Sequence, residues 1–73
     1  MKIGYIVKIK DDATYVFLPG EDIPIKKIKN SEKSITEKIE DVKEFLKNER
    51  GVTEIDEPKI TSKTRIEIFG SIN

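Results

Sequence analysis

The segment SITEKIEDVKEFL, residues 34–46, combines a helix start signal with an apolar stripe. Ser34 is followed three residues later by Glu37, a spacing in which each side chain bonds the free backbone N–H of the other residue. Gly51 then offers a natural stop. The sequence therefore predicts one amphipathic helix from Ser34 toward Gly51, whose apolar stripe recurs at helical spacing at Ile35, Ile39, Val42, Phe45 and Leu46.

The residues before this helix alternate with the two-residue period of strands. Residues 3–9 alternate most clearly, and residues 14–18 resume the pattern with β-branched and aromatic side chains. Asp11 and Asp12 between them suit a turn, so the two segments predict a β-hairpin. Residues 23–28 predict a third strand, at a sheet edge or with an irregular start because Pro24 lacks a backbone donor.

The residues after the helix predict one last strand. Asp56, Glu57 and Pro58 form a turn-like segment, and residues 60–69 follow, alternating well from Thr64 onward. A helix between the third and last strands acts as a crossover that brings the last strand parallel to the first. We therefore predict a single α+β domain over residues 1–73 in the order β-β-β-α-β. Its sheet is mostly antiparallel, with the last strand parallel to the first, and a single helix covers one face.

The alternation also assigns residues to the sheet face that this helix leaves uncovered. That face is predicted to carry the apolar residues Ile6 and Phe69 together with five charged residues, which are Lys2, Lys8, Lys10, Arg65 and Glu67.

Composition narrows the function classes. The chain has 14 acidic and 14 basic residues, so any electrostatic preference must be local. Because it has neither cysteine nor histidine, disulfides, a zinc site and the commonest general base are excluded. No hydroxyl has an identified activating base and no cofactor motif occurs, so we expect no enzymatic activity, no metal and no cofactor. The absence of a signal-peptide pattern or a membrane-spanning apolar run predicts a cytoplasmic protein.

Two charged surfaces are candidate binding sites. On a helical projection four carboxylates gather opposite the apolar stripe, and we call them the acidic helix face: Glu37, Glu40, Asp41 and Glu44. Such a face is most often simply solvated, but it also suits a basic partner. A second set mixes lysines with aromatic rings and suits phosphates and bases, which predicts nucleic-acid binding as the alternative: Tyr5, Lys8, Lys10, Tyr15, Lys26, Lys27 and Lys29.

The order of these features resembles a known family. The resemblance covers nearly the whole chain and includes Tyr15-Val16-Phe17, Leu18-Pro19-Gly20, the helix of residues 34–46, the Pro58 turn and Arg65-Ile66-Glu67-Ile68. Together these features are similar to HicB-type antitoxins and their stand-alone relatives.

The resemblance implies a truncated ribonuclease-H-like fold without that fold's catalytic carboxylates. It also implies binding to a small basic ribonuclease toxin, and we expect no DNA-binding segment after the last strand. The leading prediction from the sequence is thus a non-catalytic module that masks a basic protein partner through the acidic helix face. Homo-oligomers through a sheet edge or face are a further expectation.

Overall fold

The structure, a computed structural model, describes residues 1–72 as an α+β fold with one antiparallel sheet and one helix. This confirms the predicted class. The elements in chain order are β1 (Lys2–Ile9), β2 (Thr14–Phe17), β3 (Lys26–Ile28), α1 (Ile35–Glu49), β4 (Val52–Ile55), β5 (Lys59–Ser62) and β6 (Arg65–Ile72).

The N-terminal hairpin is confirmed. Strands β1 and β2 pair antiparallel with Ile9 opposite Thr14, and the Lys10 N–H donates to the Ala13 carbonyl across the turn at 3.0 Å. Strand β3 is shorter than predicted and begins at Lys26 instead of Ile23. The preceding Pro24 has no backbone donor for the ladder, which explains the late start.

The helix boundaries follow the sequence signals. The Glu37 N–H donates to Ser34 Oγ at 3.3 Å, and the Ser34 N–H donates to Glu37 Oε1 at 3.2 Å, so the capping box is formed. At the other end, Gly51 has a φ of 71°, the left-handed conformation in which glycine is least strained. Both predicted ends of the helix are therefore confirmed.

The direction of the last strand differs from the prediction. Strand β6 pairs antiparallel with β1 along nearly its whole length, from Lys2 opposite Ser71 to Lys8 opposite Arg65. The expectation of a last strand parallel to the first was wrong. The sheet order is β3-β2-β1-β6-β4, with β5 also paired to β6.

The segment predicted as a single last strand, residues 60–69, is divided by a turn at Lys63 and Thr64 into β5 and β6, which pair antiparallel. This missed turn explains the reversal, and strand β4 was missed as well, so three strands follow the helix instead of one. Since β4 is antiparallel to β6, and β6 is antiparallel to β1, the helix returns the chain in the direction of β1 at the outer edge of the sheet. The chain then continues into β5 and turns back as β6, which takes the position between β1 and β4. One edge of the sheet consists of two short strands, β4 and β5, which both pair with β6. The residues between these two strands include Asp56, Glu57 and Pro58.

The core lies between the helix and one sheet face. Val42 and Leu46 are fully buried, whereas Ile35, at the start of the predicted apolar stripe, is 42% exposed. The helix also contributes Phe45 to the core, and the sheet contributes Tyr5, Val7, Val16, Val52, Ile66 and Ile68.

Tyr5 introduces a polar group into this core. Its side chain is 1% exposed, and its hydroxyl has no hydrogen-bond partner among residues 1–72. A buried hydroxyl without a partner loses its hydration without compensation, at a cost of about 1–3 kcal/mol.

We therefore expect Tyr5→Phe to raise the free energy of unfolding by about 1 kcal/mol, because only the unpartnered hydroxyl is removed. Urea unfolding measures the change. Tyr15→Phe is the control, since the Tyr15 hydroxyl donates to Asp12 at 2.8 Å and its removal offers no such gain. A loss of stability in Tyr5→Phe would contradict the expectation and show that the hydroxyl is bonded.

Candidate functional site

The sheet face turned away from α1, called the open sheet face below, aligns cations from three strands and a tyrosine from a fourth in one row. Lys27 of β3 lies opposite Tyr15 of β2, Tyr15 lies opposite Lys8 of β1, and Lys8 lies opposite Arg65 of β6. Residues that alternate with these, such as Val7, point into the core. We call Lys27, Tyr15, Lys8 and Arg65 the cationic row.

Lysine side chains extend over the aromatic rings of the open sheet face. The Lys8 ammonium lies 5.0 Å from the centroid of the Phe17 ring, and those of Lys10 and Lys27 each lie 5.7 Å from the Tyr15 centroid. Phe17 is only 8% exposed although no helix covers this face. The aliphatic stems of these lysines therefore shield the rings while their charged ends stay in water.

The end of the cationic row on β1 and β6 has an excess of positive charge. Lys8 and Arg65 are directly opposite each other, an arrangement of like charges that destabilises a strand pair. Within residues 1–72, neither Lys8 nor Lys10 forms an ion pair, and Arg65 reaches only Glu67, at 3.7 Å between Nη2 and Oε2. An anion bound here would relieve this repulsion.

Asp12 orients the β3 end of the row. It accepts a hydrogen bond from the Tyr15 hydroxyl at 2.8 Å and lies 3.5 Å from the Lys27 ammonium. The Tyr15 hydrogen bond, with the charge of Lys27, lowers the pKa of Asp12 below its usual value, and Tyr15 and Asp12 together raise the pKa of Lys27. The Tyr15 ring is thereby fixed in position beside two ammonium groups.

A cleft of about 550 Å³ opens beside the central cations, and we call it the terminal cleft. Its polar lining comes from the end of β1, the residues after it, and the β5–β6 turn: Lys8, Lys10, Asp11, Ser62, Thr64 and Arg65. A smaller cleft of about 350 Å³ shares Lys8 and Arg65 and is bordered by Glu21 and Asp22.

The predicted nucleic-acid set is divided by the structure. Four of its members lie together on the open sheet face, which are Lys8, Lys10, Tyr15 and Lys27. Arg65 lies on the same face, as the alternation predicted, but it was not included in the predicted set.

The other three residues of the set lie elsewhere. Tyr5 is buried in the core, so including it was wrong because its ring has no access to a base. Lys26 lies 3.6 Å from Glu49 and over the Phe45 ring, which places it beside the helix. Lys29 borders the groove between β3 and α1.

The acidic helix face is only partly available for binding. Glu37 is engaged in the capping box, and Asp41 accepts hydrogen bonds from Asn30 at 2.9 Å and Lys33 at 3.0 Å. Glu40 lies 3.5 Å from Lys43 on the next turn, and Glu44 is exposed without an ion pair among residues 1–72. Two of the four carboxylates thus stabilise the fold, and Lys33 and Lys43 reduce the negative charge.

The bonds of Asp41 belong to a partly buried polar network. Thr14 Oγ1 donates to Asn30 Oδ1 at 2.7 Å, and Asn30 Nδ2 donates to Asp41, with Thr14 fully buried and Asn30 5% exposed. The hydrogen bond from Asn30, followed by that from Lys33, lowers the pKa of Asp41. Asp41 in turn raises the pKa of Lys33. The network ties β2 and the β3–α1 loop to the helix.

Within residues 1–72 no three carboxylates cluster as metal ligands would, and α1 is too short and too polar to cross a membrane. No protein-family model, curated protein or solved structure matches the chain. The resemblance to HicB-type antitoxins therefore stays a prediction.

We expect Asp41→Asn to lower the free energy of unfolding at pH 7 by about 1 kcal/mol, because a charge-assisted hydrogen bond is lost. Because the pKa of Asp41 is lower in the folded protein than its ordinary value of 3.8, the ionised carboxylate contributes its full stabilisation above pH 3.8. This stabilisation is lost as the pH falls through the lower pKa of the folded state. The difference between the two proteins should therefore shrink below pH 3.8 in urea unfolding.

Glu57→Gln serves as the control for this experiment, because Glu57 is exposed and forms no ion pair within the described part of the chain. It should change stability little at any pH. A difference between Asp41→Asn and the parent protein that stays constant from pH 7 to strong acid would contradict the assigned role of the carboxylate.

Proposed function

We propose that this chain is a non-catalytic module that binds single-stranded nucleic acid on its open sheet face. The observation that carries the proposal is the cationic row, in which strand register aligns Lys27, Tyr15, Lys8 and Arg65 across four adjacent strands. This was the alternative prediction from the sequence. It is preferred here because the leading candidate surface, the acidic helix face, uses Glu37 and Asp41 to stabilise the fold.

The chemistry of the row suits a phosphate backbone. Each phosphate neutralised by lysine or arginine releases counterions, so affinity arises from a local cluster even when the net charge of the protein is zero. Tyr15 is partly exposed and fixed by Asp12, and an aromatic ring in such a position supports base stacking without sequence preference. A single strand crossing the sheet meets all four side chains of the row.

Binding is favoured over catalysis because the two carboxylates that contact residues of the row are already engaged. Asp12 bonds Tyr15, and Glu67 lies 3.7 Å from Arg65. The row itself contributes two ammonium groups, a guanidinium and a phenol, which recognise anions. A cytoplasmic location, where single-stranded nucleic acid is available, is part of this proposal.

A second candidate function is protein binding of the HicB-like kind, in which the acidic helix face masks a small basic ribonuclease. The observation in its favour is that Glu40 and Glu44 are exposed, and neither bonds to another element within residues 1–72. Exposed charges of this type mainly steer association and set its salt dependence. Pairing of two copies through a sheet edge would accompany this function.

The leading proposal predicts salt-dependent binding of a fluorescently labelled, single-stranded oligonucleotide. For single strands, the logarithm of affinity falls with the logarithm of salt concentration by about 0.7 per neutralised phosphate. The double variant Lys8→Gln/Arg65→Gln should bind more weakly, and its slope should be smaller by about 1.4 if each side chain contacts one phosphate. Anisotropy titrations over a range of salt concentrations measure both quantities.

The matched control is Lys43→Gln/Lys47→Gln, which removes the same charge from the helix and not from the sheet. It should retain the slope and most of the affinity of the parent protein. An equal loss in the two variants would show general charge attraction instead of a site, and no binding at low salt would overturn the proposal.

The second candidate predicts that Glu40→Lys/Glu44→Lys abolishes capture of a basic protein partner from a native lysate, because two attractive charges become repulsive. Quantitative affinity capture followed by mass spectrometry measures this. The control is Glu54→Lys/Glu57→Lys, which reverses two exposed charges that do not belong to α1. If both variants retained the same partners as the parent protein, the acidic helix face would have no binding role.

A further inference from the structure

The terminal cleft is lined by the like-charge pair, Lys8 and Arg65, and by a third cation, Lys10. Lys8 and Arg65 face each other across β1 and β6, and Lys10 follows Lys8 two residues later along the same sheet face. Asp11 is the one carboxylate in the lining of this cleft. The lining residues therefore sum to two positive charges, which Glu67, 3.7 Å from Arg65, partly offsets.

The β5–β6 turn supplies hydroxyl groups to the terminal cleft. Ser62 Oγ and Thr64 Oγ1 are 3.4 Å apart, and the Thr64 N–H donates to Ser62 Oγ at 3.3 Å. Only one of the two hydroxyl hydrogens can bridge this pair, so the other is available to a ligand. Arg65 also retains donors, since its contact with Glu67 uses one nitrogen at 3.7 Å.

We infer that the terminal cleft binds a phosphate monoester, specifically the terminal phosphate of the nucleic-acid strand whose backbone crosses the cationic row. This inference rests on the proposed function. A phosphodiester inside a strand carries one negative charge, whereas a monoester carries about 1.5 to 2 at neutral pH and has three acceptor oxygens. The excess charge of the cleft and its hydroxyl donors match the monoester better. Its volume of about 550 Å³ also exceeds what one phosphate fills, leaving room for the attached sugar.

A strand would then bind in a defined position. Its terminal phosphate lies in the cleft beside Lys10 and Thr64, and the following phosphates pass over Lys8 and Tyr15 toward Lys27. Relief of the repulsion between Lys8 and Arg65 contributes to the affinity, because the phosphates bound beside these two cations offset their like charges.

The first test uses inorganic phosphate as the probe and records backbone amide shifts of the full chain by NMR at constant ionic strength. Saturable shifts are expected at Lys10, Thr64 and Arg65, with none at Glu44 on the helix. Absence of saturable shifts at the cleft overturns the inference, whether or not oligonucleotides bind. Shifts at the cleft without any oligonucleotide binding support the phosphate site and overturn the proposed function.

The second test compares one oligonucleotide with and without a terminal 5′ or 3′ phosphate. The better-placed phosphate should strengthen binding about tenfold, the effect of one added charge-assisted interaction. Lys10→Gln should remove this preference. Lys59→Gln is the control, because Lys59 lies on the open sheet face over Phe69, outside the cleft, and should retain the preference. Equal affinities of all three oligonucleotides for the parent protein would overturn the inference.

Discussion

The structure depends on one constraint, which is that a single 15-residue helix must cover one face of a six-stranded sheet. Val42 and Leu46 accomplish this on the helix side and are completely buried. The other sheet face receives no second layer, so the stems of long cationic side chains cover its aromatic residues. Because long cationic side chains cover this face in place of a second layer, lysine and arginine are concentrated on one surface of the molecule, where an anionic ligand can reach them.

The helix is held in place by polar contacts as well as by its apolar stripe. Thr14 and Asn30, both buried, connect the sheet and the loop before the helix to Asp41. A buried polar chain of this type is stable only when its members are bonded, which fixes the position of the helix over the sheet. The carboxylate of Asp41 therefore stabilises the fold and is not free for a partner. The acidic helix face is partly used in this way, whereas the open sheet face keeps its cations exposed.

Local signals in the sequence predicted the elements near them, whereas contacts between distant segments were not accessible. The capping box and the β1–β2 turn depend on residues a few positions apart, and both were confirmed. Strand β4 was missed because a bulge between Val52 and Glu54 changes the spacing of its inward residues from two to three. The turn at Lys63 and Thr64 was missed because residues 60–69 were interpreted as one strand, so the chain had one reversal too few and β6 was assigned the wrong direction.

In the candidate site, too, local sequence patterns predicted the face on which residues lie but not the contacts between distant segments. Alternation placed Lys8, Lys10 and Arg65 on one face, but their convergence on one cleft depends on the antiparallel register of β1 and β6. The structural role of Asp41 depends on Asn30, eleven residues earlier, and on Thr14 in a different strand. Neither relation has a sequence pattern, because both arise from tertiary packing.

The central position of β1 and β6 has a consequence for biosynthesis. These two neighbours are separated by almost the whole chain, with Lys2 opposite Ser71. While the ribosome is still adding β6, the β1–β2 hairpin has no partner on one side and its edge is open to other chains. The sheet can be completed only after β6 has been synthesised, and pairing between segments so far apart in the sequence slows folding.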